Sequence, residues 1–167
     1  MAVLSDKQIA AVAEAAAFKD VASLSTAVAV ALAESGGDPK SHNGNAGTGD
    51  NSYGLWQINM LGSMGPARRK LFGISSNEQL YLPAINAKAA YILYKQSSGW
   101  SPWSAYKSGS YKKFQNRGAM AAMAVAKGGS TISGVADPSK EADINIGIGG
   151  VGVGLNNPMS GIQETIA

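Results

Sequence analysis

Apolar and small residues recur at helical spacing soon after the start of the chain. Ile9, Val12, Ala13 and Ala16 follow Ser5, and Gln8 stands three places after that serine, as in a capping box. A second helix is predicted from about Ser23 to Ser35. It is apolar nearly all round, which suits a helix at the centre of a small domain. Gly36 and Gly37 stop it, a glycine being suited to the left-handed conformation that closes a helix. Residues 36–52, rich in Gly, Asn, Asp and Ser, read as a loop. Pro66 suits the start of a short helix that reaches Phe72, with Gly73 behind it. Pro83 opens another, in which Ile85, Ala89 and Ile92 share a face. A break and a short aromatic segment with Trp100 and Trp103 come next. A last helix is then predicted over Tyr111–Lys127, terminated by Gly128 and Gly129. No strand is predicted before residue 140, so the fold class is mainly α.

From residue 128 the pattern changes, and the chain divides into a helical domain over 1–127 and a Gly-rich tail over 128–167. The string "INIGIGGVGVGLNNP" alternates apolar residues with Gly. Its Gly147-Ile148-Gly149-Gly150-Val151-Gly152 imitates a dinucleotide-binding turn. Asn156, Asn157 and Pro158 stand where a helix would have to begin, and no βαβ unit surrounds it, so that reading is rejected. The tail reads either as a flexible linker or as an extended segment that docks on a partner.

Size and charge narrow the classes. With 167 residues the chain is long enough to bury a core without a staple, and it contains no cysteine for a disulfide or thiol chemistry. A net charge of +3 suits a polyanionic surface such as a bacterial envelope, and is weak support for a nucleic-acid partner. Asp6 and Lys7 interrupt the place where a signal peptide needs its apolar core, so the expectation is a soluble protein without a cleaved export signal. No apolar run is long enough for a membrane span, and residues 144–155 are too short as a helix. His42 has no second histidine or cysteine beside it, so neither a metal site nor a cofactor is expected.

The chemistry centres on Glu34, an acid at the end of the apolar helix. The last carbonyls of a helix carry partial negative charge, which disfavours another anion there. Apolar neighbours disfavour the charged form further. Both effects raise the carboxyl pKa from ~4.3 toward the ~6–7 that suits a general acid. Glu34-Ser35-Gly36-Gly37 is followed by Ser52-Tyr53-Gly54-Leu55-Trp56-Gln57-Ile58 and then by Ala105-Tyr106-Lys107-Ser108-Gly109. In this order the three segments resemble the E-S, G-L-x-Q and A-Y-N-x-G motifs of lysozyme-like lytic transglycosylases, the soluble transglycosylase and goose-type lysozyme group. The resemblance covers roughly residues 20–127.

It implies a lysozyme-like helical domain that cuts the β-1,4 bond between N-acetylmuramic acid and N-acetylglucosamine in peptidoglycan. Glu34 would be the catalytic acid and then the base that closes a 1,6-anhydro ring. Tyr106 would hydrogen-bond and orient it. Ser52, Tyr53 and Gln57 would line the glycan groove, and Gly54 would let the backbone pass close to sugar. Lys107 departs from the motif's Asn and is expected to point to solvent. Asp50 is the candidate second carboxylate, which would activate water for plain hydrolysis, whereas Asp38, before Pro39, reads as a turn residue. The resemblance is closest to modules carried by phage tails or related injection particles. Residues 130–167 would then dock on the particle, which would act on the bacterial wall. The rival is a structural or wall-binding protein that has lost turnover.

Among the remaining features, Trp56, Trp100 and Trp103 are expected in the core. Arg68-Arg69-Lys70 reads as a solvated helix face or as a contact with anionic wall polymer.

Overall fold

The computed structural model describes residues 3–128, which form a mainly helical domain. The tail from residue 129 onward, including its expected docking role, lies outside the described residues. Helix α1 (Asp6–Ala15) starts on the expected capping box. The Ser5 amide donates to Gln8 Oε1 at 2.7 Å and the Gln8 amide to Ser5 Oγ at 3.1 Å. Helix α2 (Val21–Ser35) begins earlier than its apolar pattern, because the Asp20 carboxylate accepts from the Ser23 amide at 2.8 Å and caps it. Gly36 closes α2 with a left-handed φ of 67°.

The loop expected over 36–52 and the segment that follows it contain structure that periodicity did not show. Strands β1 (His42–Asn43), β2 (Ser52–Tyr53) and β3 (Ile58–Asn59) form a small antiparallel sheet in that order. His42 faces Tyr53 across the first pair, and Tyr53 faces Ile58 across the second. Strands of two residues are too short to display an alternating pattern, which is why none was predicted here.

Helix α3 (Met64–Phe72) starts ahead of Pro66 and closes on Gly73. Helix α4 (Pro83–Ser97) opens on its proline as expected. Its buried stripe is Asn86, Ala87, Ala90 and Leu93, together with Ala89, while Ile85 and Ile92 are half-buried. After the short helix α5 (Ser104–Ser108), the single helix predicted over Tyr111–Lys127 is divided. Residues Ser110–Phe114 form a 3₁₀ turn, and α6 (Gln115–Gly128) follows and runs into Gly128. The tighter turn brings residues three apart onto one line, and Tyr111 and Phe114 both pack against the core there.

Helix α2 is the axis of the domain, in contact with α1, α5, α6 and the 3₁₀ turn. Its stretch Ala27–Leu32 is buried, and the small side chains let neighbouring helices approach closely. Gly118 of α6 sits so near that an added Cβ would run into the Ser25 carbonyl oxygen of α2. Phe18, stacked 5.2 Å from Trp100 and edge-on to Tyr91 and Tyr94, seals one end of the core. Among the described residues no helix is long and apolar enough to cross a membrane.

Candidate active site

Tryptophan side chains connect the axial helix to the motif segments. Trp56 is fully buried, and its indole N–H donates at 2.9 Å to the Ala27 carbonyl of α2. The Trp103 indole in turn donates at 2.8 Å to the Trp56 carbonyl. This places the start of α5 beside the end of α2. There the Ala105 amide, at the N-terminal end of α5, donates to Glu34 Oε2 at 3.1 Å. Amides in the first turn of a helix have no partner within it, so the carboxylate from α2 satisfies a group that α5 leaves open.

Glu34 is half-buried and lines a cavity of about 140 Å³ with Asp50, Ser52, Gln57, Trp103 and Lys107. Its pKa is raised above the usual carboxylate range, chiefly by burial and further by the negative charge of Asp50, against the lowering effect of the Ala105 amide. The direction agrees with the expectation from its place at the helix end. Oε2 is occupied by an amide donor, and Oε1 has no hydrogen-bond partner among the described residues. A neutral carboxyl can therefore keep Oε2 as its carbonyl oxygen and carry its proton on Oε1.

The expected site residues divide. Ser52, Gln57 and Asp50 stand with Glu34 around one cavity. Asp50 is held by the hydroxyls of Thr48 at 3.1 Å and Ser52 at 3.4 Å. Gln57 adopts a positive φ of 46°, and its amide group donates to the Ser41 and Gly54 carbonyls at 3.1 and 3.0 Å. That leaves its Oε1 as the polar atom without a partner among the described residues. Tyr53 is buried beneath His42 and beside Tyr81, outside the lining of this cavity. Asp38 accepts from the Lys40 amide, as a turn residue does.

Two expectations change. The orienting hydrogen bond expected of the Tyr106 hydroxyl is made by the backbone of Ala105, while the exposed Tyr106 ring stacks on Tyr111 at 4.8 Å. Gly54, expected to admit sugar, is buried with φ 80°, and a Cβ there would collide with the Asn86 amide and the Leu80 carbonyl. Its missing side chain makes room for protein. Lys107 is exposed, yet it lines the Glu34 cavity. Its charge is not among the causes of the Glu34 shift, which is upward.

Two asparagines that support the site were not singled out in the sequence. Asn86 is fully buried. Its Nδ2 donates to the Tyr53 and Leu80 carbonyls, each at 2.8 Å, and its Oδ1 accepts from the Trp56 amide at 2.9 Å. Asn59 Oδ1 accepts from the Asn51 and Leu61 amides, and its Nδ2 donates to the Gly49 carbonyl, which ties down the loop that carries Asp50. An asparagine among apolar positions of α4 is the one signal that marks Asn86; Asn59 had none. Among the described residues no three His, Asp or Glu side chains gather as metal ligands.

The lysozyme-like domain family matches residues 10–105, more than half of the chain, and the chain belongs to that family. The match ends at Ala105, the residue whose amide holds Glu34. No curated protein and no solved structure matches the chain. Membership points to an enzyme that cleaves the glycan strands of peptidoglycan.

Proposed function

We propose that the protein is a peptidoglycan lytic transglycosylase that works through the single acid–base residue Glu34. The observation that carries this reading is a half-buried carboxyl with one oxygen fixed by the Ala105 amide and a pKa raised by burial. Glu34 Oε1 gives its proton to the glycosidic oxygen as the bond to the muramyl C1 breaks, and N-acetylglucosamine leaves with a free 4-hydroxyl. The carboxylate so formed takes the proton of the muramyl C6 hydroxyl, whose oxygen bonds to C1. The product is a 1,6-anhydro ring, no water is consumed, and Glu34 ends protonated. Ser52, Gln57 and Asp50 line the cavity in which the strand would lie.

Asp50 favours a second reading, because it shares the cavity and two-carboxylate glycosidases use such a partner to activate water or to form a covalent intermediate. Digestion of purified peptidoglycan in ¹⁸O-labelled water separates the two. Transglycosylation gives muropeptides one water lighter than hydrolysis products and without label. Reducing ends that carry ¹⁸O, lost with Asp50→Asn, would establish hydrolysis. Tight wall binding without any released product would favour a structural role.

A further inference from the structure

The basic run Arg68-Arg69-Lys70 is divided by the fold. Arg69 donates to Asn77 Oδ1 at 2.8 Å, and Lys70 is exposed. Arg68 turns inward and is half-buried in the wall of a second cavity of about 240 Å³. That cavity shares Gln57, Asn59, Pro102 and Trp103 with the Glu34 cavity, so the two are neighbouring compartments of one cleft.

Arg68 Nη1 donates to the Asn59 carbonyl at 2.9 Å, which fixes the guanidinium from one side. Nε and Nη2 have no hydrogen-bond partner among the described residues, and no carboxylate lies within ion-pair distance there. Among the described residues the ion pairs are Lys19–Glu14 and Arg117–Asp6. A guanidinium withdrawn from water without a counter-ion is costly, and burial lowers its pKa. The free Nε–Nη2 edge is the planar fork that binds a carboxylate through two parallel hydrogen bonds.

From this placement we infer that Arg68 is a specificity residue that binds a carboxylate of the peptide stem carried by a muramyl residue of the strand in the cleft. This rests on the peptidoglycan reading above. Where a stem is attached, the lactyl carboxyl of the muramyl residue is tied up in an amide bond, so the carboxylates of such a strand lie on its peptides, within reach of a cationic fork beside the acid's compartment. The fork places a peptide-bearing sugar next to the bond being cut.

The test is sedimentation binding to insoluble peptidoglycan free of phosphate polymers, carried out in a Glu34→Gln background so that turnover does not interfere. Each protein is measured on native wall and on wall whose carboxylates have been coupled to methylamine. Charge-assisted hydrogen bonds of this kind correspond to roughly tenfold or more in affinity. The parent should therefore lose about tenfold on amidated wall. Arg68→Gln should show that loss already on native wall and lose nothing further on amidated wall. Arg68→Lys, which keeps the charge and lacks the fork, should fall between, and Lys70→Gln should behave as the parent. A parent indifferent to amidation, an Arg68→Gln protein weaker than the parent by the same factor on amidated wall as on native wall, or an equal effect of Lys70→Gln would overturn the inference. Failure of wild type to release product would count against the transglycosylase reading alone, since binding is scored without catalysis.

Discussion

Asn86→Ala removes one buried side chain and three hydrogen bonds together. It strips partners from the Trp56 amide and from the Tyr53 and Leu80 carbonyls. A buried backbone group left unpaired costs ~1–3 kcal/mol. Water can enter the space vacated and relieve part of this, so the low end of the range applies to each of the three groups, about 3 kcal/mol in total. That is a large share of the ~5–15 kcal/mol that stabilises a typical domain. At about 2–4 °C per kcal/mol for a chain of this size, Tm should fall by about 6–12 °C. Urea unfolding followed by tryptophan fluorescence measures the loss, because Trp56 and Trp103 lie in the same bonded chain. Asn86→Asp is the sharper variant. One oxygen still accepts from Trp56, while the other replaces a donor with an acceptor facing two carbonyls and adds a buried charge. It should destabilise at least as much as Asn86→Ala. A loss below about 1 kcal/mol for Ala, or better tolerance of Asp than of Ala, would refute the role given to Asn86.

The raised pKa of Glu34 means that the folded state holds its proton more tightly than the unfolded chain. Stability therefore falls as pH rises from the ordinary carboxylate range through the raised value, and Glu34→Gln, which keeps an acceptor for Ala105, should be the more stable protein at neutral pH and no more stable in acid. Urea midpoints at both pH values check the sign. Activity should fall over the same alkaline limb, and Asp50→Asn, which removes a charge that raises the pKa, should move that limb to lower pH; an upward shift would contradict the electrostatics. Gly118→Ala gains helix propensity of ~1 kcal/mol but drives a Cβ into the α2 backbone, so thermal melting should show a net loss. Tyr106→Phe should leave kcat/KM within a few fold and its pH profile unchanged, because the amide of Ala105 holds Glu34; a hundredfold loss of kcat would return the orienting role to the hydroxyl.

Much of the helical scaffold was legible in sequence because its signals are local. The Ser5–Gln8 capping box, the apolar run of α2 and the glycine that ends it each lie within a few turns of the element they define. Glu34 was legible for the same reason, since a carboxylate at the end of an apolar helix is anomalous wherever that helix packs. What could not be read depends on partners distant in the chain. The amide of Ala105 meets Glu34 across 71 positions, and Trp103 meets Trp56 across 47. The short strands have too few residues for a period, and Asn59 and Asn86 brace them through side-chain bonds to the Asn51 and Leu61 amides and the Tyr53 carbonyl. Gly54 illustrates the ambiguity. A glycine inside a motif marks a close approach, and only the fold says whether protein or substrate approaches.

The most direct measurement is mass spectrometry of the soluble muropeptides released from purified peptidoglycan by wild type beside Glu34→Gln. Release of 1,6-anhydro muropeptides by wild type and none by the variant is the predicted result. Undiminished release by Glu34→Gln would contradict the account, because no proton could then come from the carboxyl on which it rests.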